Sequence, residues 1–141
     1  MIKRISPQQA YPLRQAILRP DGNLQDCMFD GDELPDTHHW GYFDDEELVA
    51  IASVYQRNYQ SYQGHGRQLR SMAVSQGVQG KGVGQQLLTA ICEYYAATDN
   101  YLWANARVSA IAFYRRANFN VDDTVFDIAG VGPHQHIVKW F

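Results

Sequence analysis

Cysteine is scarce in this chain of 141 residues: only Cys27 and Cys92 occur. Two cysteines cannot build a disulfide framework. Neither has a second Cys or a His at metal-ligand spacing, so no metal centre is expected. Long apolar runs are missing as well; none approaches the ~20 residues needed to cross a bilayer, so no membrane partner is expected. The opening stretch, MIKRISPQQ, has no apolar segment of the kind a secretory signal carries. With the sparse cysteines, this gives the expectation of a cytoplasmic protein. Basic residues are absent from one long segment: between Pro20 and Gln56 there is no Lys or Arg, yet there are ten acids, Asp32 and Asp36 among them. The remainder holds all 12 Lys and Arg with only 5 acids, so the net charge of −3 conceals −10 in the segment against +7 elsewhere. The scattered basic residues argue against a nucleic-acid partner. The acidic segment reads either as a solvated surface or as the flank of a site for a cationic acceptor.

What the chain does contain is enough apolar residue, 45%, with 19% charged, for one globular domain over residues 1–141. Its most informative stretch is LRSMAVSQGVQGKGVG, residues 69–84. An apolar strand (Leu69, Met72, Ala73, Val74) runs into a polar loop, and the loop opens at once into a helix-patterned stretch from Gln85 to Ala97. Strand, glycine-rich loop and helix start gather unpaired backbone N–H groups and the positive end of a helix dipole, which suits a phosphate or diphosphate. Spacing narrows the choice. A P-loop requires Ser or Thr after its Lys, and Lys81 is followed by Gly82; a dinucleotide fingerprint requires G-x-G-x-x-G, and Gly80, Gly82 and Gly84 run G-x-G-x-G.

Gln79-x-x-Gly82-x-Gly84 resembles the [QR]-x-x-G-x-[GA] signature of the GNAT superfamily of N-acetyltransferases. A second block strengthens the resemblance: Asn105, Ala106, Arg107, Ala110, Phe113, Tyr114 and Phe119 fall in the family's N-A-R-x-x-A-x-x-F-Y-x-x-x-G-F pattern. Asn118 stands where the family has Gly; a helix end there wants φ > 0, and Asn is the best non-glycine substitute. Gly132-Pro133-His134 is a weaker echo of a family ending. The resemblance spans residues 48–141; the first third matches only in its layout.

The coarse pattern is β-α-β-β-β-α-β-α-β-β. This predicts an α/β chain of the α+β type, with a mixed, mostly antiparallel sheet of six to seven strands flanked by about four helices. Ser6-Pro7 starts a helix that Pro12 should kink or restart near Tyr11. His39–Phe43 and Leu48–Tyr55 flank Asp44-Asp45-Glu46-Glu47 as a hairpin with a four-residue turn. Asn105 and Arg107 open a loop after the strand Tyr101–Ala104, and His134 sits in a loop before a last strand. That strand, with Trp140 and Phe141, is expected to be exposed and able to pair in a homodimer.

The resemblance implies transfer of an acetyl group from acetyl-CoA to a primary amine of a small molecule or peptide. It implies that the loop from Gln79 through Gly80, Lys81, Gly82, Val83 and Gly84 holds the diphosphate. It further implies that Met72, Ala73 and Val74 grip the pantetheine arm and offer an amide to the thioester oxygen, and that Tyr114 protonates the departing thiolate. Asn105 and Arg107 either line the cofactor groove or cap the next helix. Tyr114 could instead simply pack against the sheet, and Lys81 could be a solvated charge. An amine with pKa near 10.4 is neutral only about once in 2,500 at pH 7, a cost of roughly 4–5 kcal/mol, so a base, a water chain or desolvation must strip its proton. Arg67-Gln68-Leu69-Arg70-Ser71 carries no carboxylate, which leaves His134, His38, His39 or the acids of residues 30–36 as candidate bases. Two rival readings remain: a catalytically silent CoA-binding module on the same fold, and an unrelated nucleotide-binding protein.

Overall fold

Ser6 and Gln9 cap the first helix reciprocally. The Gln9 amide donates to the Ser6 hydroxyl at 3.2 Å, and the Ser6 amide donates to the Gln9 side chain at 2.8 Å. In the computed structural model, which describes residues 1–141, this helix, α1 (Pro7–Leu13), follows strand β1 (Ile2–Ile5). A hairpin comes next, β2 (His38–Asp44) and β3 (Glu47–Gln56), then β4 (Gly66–Val74), the glycine loop and α2 (Val83–Ala96). β5 (Tyr101–Arg107), α3 (Ile111–Arg116), β6 (Asn120–Ile128) and β7 (Gly132–Trp140) complete the chain. The seven strands form one sheet in the order β1-β2-β3-β4-β5-β7-β6. All neighbours are antiparallel except β4 and β5.

Side-chain alternation gives the sheet two apolar faces. On one, Leu87, Leu88 and Ile91 of α2 pack against Ala50, Ala52, Val54 and Leu69. On the other, Ala10, Leu13 and Ile17 of the first helical region cover Ile51 and Ala73. Cys92 is buried in the first of these clusters.

Several expectations change in detail. The chain does not restart at Pro12. The helix runs through it and widens into a π-helical turn over Arg14–Leu18, where the Arg19 amide reaches back to the Arg14 carbonyl at 3.2 Å. Pro12 lacks the amide that would reach back to the Gln8 carbonyl, and the helix continues past that one missing bond. The β2–β3 turn is two residues long, with Asp44 paired to Glu47 and Asp45 at φ 54°. Asn105 and Arg107 belong to β5, and His134 belongs to β7, because Asn105 pairs with His136 and Arg107 with His134 and the ladder extends both strands. For the same reason β7 is interior, held between β5 and β6. The last strand is therefore not an edge; β1 and β6 are.

Asp32 also departs from its expected place. It is not on an acidic surface but is 3% exposed, gripped at both oxygens by Arg14 at 2.7 and 2.9 Å. Arg14 is itself 1% exposed and also donates to the Cys27 carbonyl and the Ser53 hydroxyl. Tyr55 donates its hydroxyl to Asp32, and the Phe29 amide adds a further bond. Burial alone would raise the Asp32 carboxyl, but hydrogen bonds from Arg14, Tyr55 and Phe29 outweigh it and hold the group below its ordinary range. His39 completes the cluster through Ser53 at 2.7 Å and the Asp32 carbonyl at 2.9 Å.

Removing one partner leaves a buried charge uncompensated, so Asp32→Ala is expected to cost about 3–5 kcal/mol in chemical denaturation. The double variant Arg14→Met/Asp32→Leu should recover most of that loss. Stability should also fall with acid earlier than carboxylates alone would dictate. Burial, with Arg4 and Arg67 nearby, pushes His38 down to about 4, and burial likewise lowers His39. The unfolded chain binds protons at these sites below about pH 6.5, and the folded chain refuses them. Their contribution is complete above that pH and is lost as pH falls toward 4, which urea midpoints across pH 4–7 would record.

Candidate active site

Strands β4 and β5 stay together for only three residue pairs, Gly66–Tyr101, Arg67–Leu102 and Gln68–Trp103. Beyond Gln68 the two strands part, and the edge of β4 that faced β5 is left without a strand partner. A cleft of about 1110 Å³ opens there, lined by both strands, the glycine loop and α3. On its other edge β4 carries a bulge. Ile51 pairs with Ala73 but Ser53 pairs with Arg70, so Ser71 and Met72 together oppose Ala52. Ser71 adopts φ 59°, a left-handed conformation that costs a non-glycine residue free energy and re-aims the backbone at the point where the strands separate.

The glycine loop divides its labour. Gly80 and Gly82 both lie in the left-handed region, φ 81° and 82°, and an added Cβ at either would meet nothing within 4 Å. These positions supply backbone turns facing open space. Gly84 is buried instead. A Cβ there would come within 3.1 Å of Phe113 and 3.2 Å of Val74, so its role is the close approach of α2 to α3 and β4. Gln79 folds back and donates to the Val74 carbonyl at 2.9 Å, bracing the loop on the end of β4. No side chain caps α2 and no acid occupies its first turn, so its N-terminal amides remain available to an anion. Val83 is buried and Lys81 is exposed on the same loop.

Tyr114 lines the cleft from α3. Burial pushes its hydroxyl well above the ordinary tyrosine range, with no hydrogen bond acting on it. Its position is set by the helix end behind it. The Phe119 amide donates to the Tyr114 carbonyl at 3.1 Å, the Asn118 amide donates to the Arg115 carbonyl at 3.0 Å, and Asn118 stands at φ 67°. This is a complete left-handed cap, in which Phe119 closes onto Tyr114 with ring centroids 5.5 Å apart. The substitution of Asn for the family's Gly is thus accommodated as expected.

Asn105 and Arg107 alternate with Ala104 and Ala106. The alanines pack on the α2 face, so the polar pair points to the α1 face. Arg107 donates to the Leu18 carbonyl at 3.0 Å, tying β5 to the π-helical turn. His134, opposite Arg107 in register, also lines the cleft. Its Nδ1 lies 2.7 Å from the Gly132 carbonyl, which can only accept, so Nδ1 carries the proton and Nε2 keeps its lone pair. Of the other candidate bases, His38 bonds the Tyr95 hydroxyl at 2.6 Å, His39 and Asp32 lie in the buried cluster, and Asp30, Glu33 and Asp36 do not line the cleft.

The sequence reading missed the arginines of the α1 face: Arg14, Arg57 and Arg70 all line the cleft. One signal was available. Ala10, Leu13, Arg14, Ile17 and Leu18 form a helical stripe that is apolar save for one charge, and an Arg in such a stripe is either buried with a partner or facing a cavity.

Set beside known proteins, the chain matches the profile of the Acetyltransferase (GNAT) family over residues 7–119. It belongs to that family. It is similar to an uncharacterized N-acetyltransferase, YitI, of Bacillus subtilis, with 29% identity over 94% of this chain and 91% of the relative. Among solved structures, Escherichia coli ElaA superposes with a TM-score of 0.77 at 20% identity, over 99% of this chain and 98% of that one. An aminoglycoside 6'-N-acetyltransferase complexed with coenzyme A superposes with a TM-score of 0.78 at 13% identity, over 99% and 96% of the two chains. The protein is an acetyl-CoA-dependent N-acetyltransferase, and its acceptors are small-molecule or peptide amines. Nothing favours the silent CoA-binding module. No helix is long and apolar enough to cross a membrane.

The Asn118 cap can be tested directly. Asn118→Ala places a β-carbon in the left-handed region and should cost about 1 kcal/mol, whereas Asn118→Gly should be neutral or slightly stabilising. Thermal melts of the two variants check both.

Proposed function

We propose that the parted strands receive the acetyl-CoA arm, with its diphosphate on the amides of Gln79 to Gly84 and its thioester at the β4 bulge. The observation that carries this reading is the coincidence of two unpaired sets of backbone groups, the inner edge of β4 and the uncapped start of α2, on one cleft. Both need a polar partner, and a chain of amides ending in a diphosphate supplies one to each. Acetyl-CoA provides the activated acyl group; the protein binds it, orients it and moves protons. Lys81 and Arg116 add positive charge on the cofactor side.

In this reading the acceptor amine enters from the α1 face and attacks directly. The backbone of Met72, Ala73 and Val74 holds the pantetheine arm and offers an amide to the charge that grows on the thioester oxygen. His134 Nε2 accepts the proton that the amine must lose. Tyr114 stays protonated across the working pH range and donates to the departing sulfur. Asn105 and Arg107 shape the acceptor side of the split, with Arg107 anchoring the π-helical turn that forms its wall.

Two variants and one binding measurement test the assignment. Tyr114→Phe should lower kcat by about 10²-fold while leaving the KM for acetyl-CoA within about twofold and the melting temperature unchanged, because the hydroxyl has no partner to lose. His134→Gln should lower kcat/KM by about 10²-fold or more at neutral pH. Calorimetry that finds no association of acetyl-CoA with the wild-type chain would refute the cofactor assignment. Unaltered turnover in either variant would remove that residue from the reaction.

A further inference from the structure

The acceptor side of the cleft is cationic. Arg14, Arg19, Arg57, Arg70 and Arg107 line it along with His134, and no Asp or Glu does. Asp32 neutralises Arg14, and the other acids of residues 20–56 do not line the cavity, so the net positive charge comes from Arg19, Arg57, Arg70 and Arg107. Three of the arginines are committed: Arg14 to Asp32, Arg57 to the Gln68 side chain at 2.8 Å, and Arg107 to the Leu18 carbonyl; Arg19, half-buried at the end of the π-helical turn, makes no side-chain bond and stacks on no ring. Arg70 has no acid partner. It is partly buried, with its guanidinium stacked 4.3 Å above the Phe29 ring and 5.5 Å from the Tyr55 ring. Such a platform holds the planar fork in one orientation and leaves its edge N–H groups unspent. Beside it, Arg14 Nε is sealed from solvent with no partner.

These arginines do not serve the diphosphate. Gln68 and Arg70 alternate with Leu69, which packs under α2, so they project from the opposite face to the helix whose N-terminus closes the glycine loop.

Resting on the acetyltransferase reading of the cleft, we propose that the acceptor is a small amine bearing a carboxylate, an amino acid or close analogue, and that Arg70 on its Phe29 platform binds that carboxylate. This replaces the expectation of a cationic acceptor drawn from the acidic segment. A dication or polyamine would meet like charge and no acid in the cleft, whereas a carboxylate completes a fork-to-fork pair. The same field assists the chemistry: surrounding positive charge disfavours the ammonium form of the acceptor and so favours the neutral nucleophile.

The test is thiol release from acetyl-CoA with matched acceptors: the proteinogenic amino acids, their amides and their decarboxylated amines. The wild-type chain should turn over at least one amino acid with kcat/KM about 10- to 100-fold above its amide and amine counterparts. Arg70→Gln should erase that preference by raising the acceptor KM about tenfold or more, with the KM for acetyl-CoA within about twofold. Arg70→Lys, which keeps the charge but loses the planar fork, should fall between. Preference for the amides or amines overturns the proposal and leaves the transferase reading standing. Failure to turn over any member of the panel while acetyl-CoA binds also overturns it. An Arg70→Gln variant that changes only the acetyl-CoA KM overturns it by assigning the residue to the cofactor. Absence of acetyl-CoA binding defeats instead the reading on which it rests.

Discussion

A parallel pairing held for three residues and then released organises this molecule. Parallel strands need a crossover, and here the crossover is the glycine loop and α2, so the helix start lies at the open end of the same split. Closure at the base is enforced by packing. Tyr101 is fully buried beneath Gly66, where an added Cβ would fall 2.1 Å from its ring. Divergence above the base is maintained by α3 and by β7, which takes the partner edge of β5 along its whole length, Tyr101 to Arg107. β5 is therefore pinned to one neighbour while β4 is pinned to β3, and the gap between them is built in rather than opened by a ligand.

The gap also divides the residues that line it. Loop amides, the start of α2 and Tyr114 come from one side; His134, the arginines and the π-helical turn come from the other. Period-2 alternation accomplishes this separation, because neighbouring residues on β4 and β5 face opposite ways. Leu69 packs under α2 while Arg70 looks toward α1; Ala104 and Ala106 face the core while Asn105 and Arg107 face the α1 side. A one-residue slip would exchange these sets, and the β4 bulge shows that the fold uses such a slip locally, at Ser71, where re-aiming the backbone is useful.

The buried cluster around Arg14 serves the same architecture. It joins the first helical region, the 27–32 segment and β3 through one guanidinium. Desolvation offsets much of the attraction in a charge pair at this depth, so its clearest effect here is the geometry it holds. The wall it fixes carries Phe29, and Phe29 carries Arg70. A buried ion pair thus helps to set where the Arg70 guanidinium stands in the cleft.

Much of this was legible in the chain. Gln79-x-x-Gly82-x-Gly84 after an apolar strand, and Asn105 through Phe119, are local patterns, and the φ > 0 expected of Asn118 at a helix end is a local backbone demand. The helix expected from Gln85 to Ala97 is found over Val83–Ala96, with Cys92 in the core it covers. Other features required the fold. Whether Asp32 is solvated or buried depends on Arg14, 18 residues away. Whether β7 is an edge depends on a return pairing with β5. The sign of the charge in the cleft depends on which face of β4 Arg70 occupies and on which acids stay outside it. Sequence fixes what short-range sterics and hydrogen bonding demand of each residue; the sum of charge in a cavity is a property of which distant side chains share it, and only the packed chain decides that.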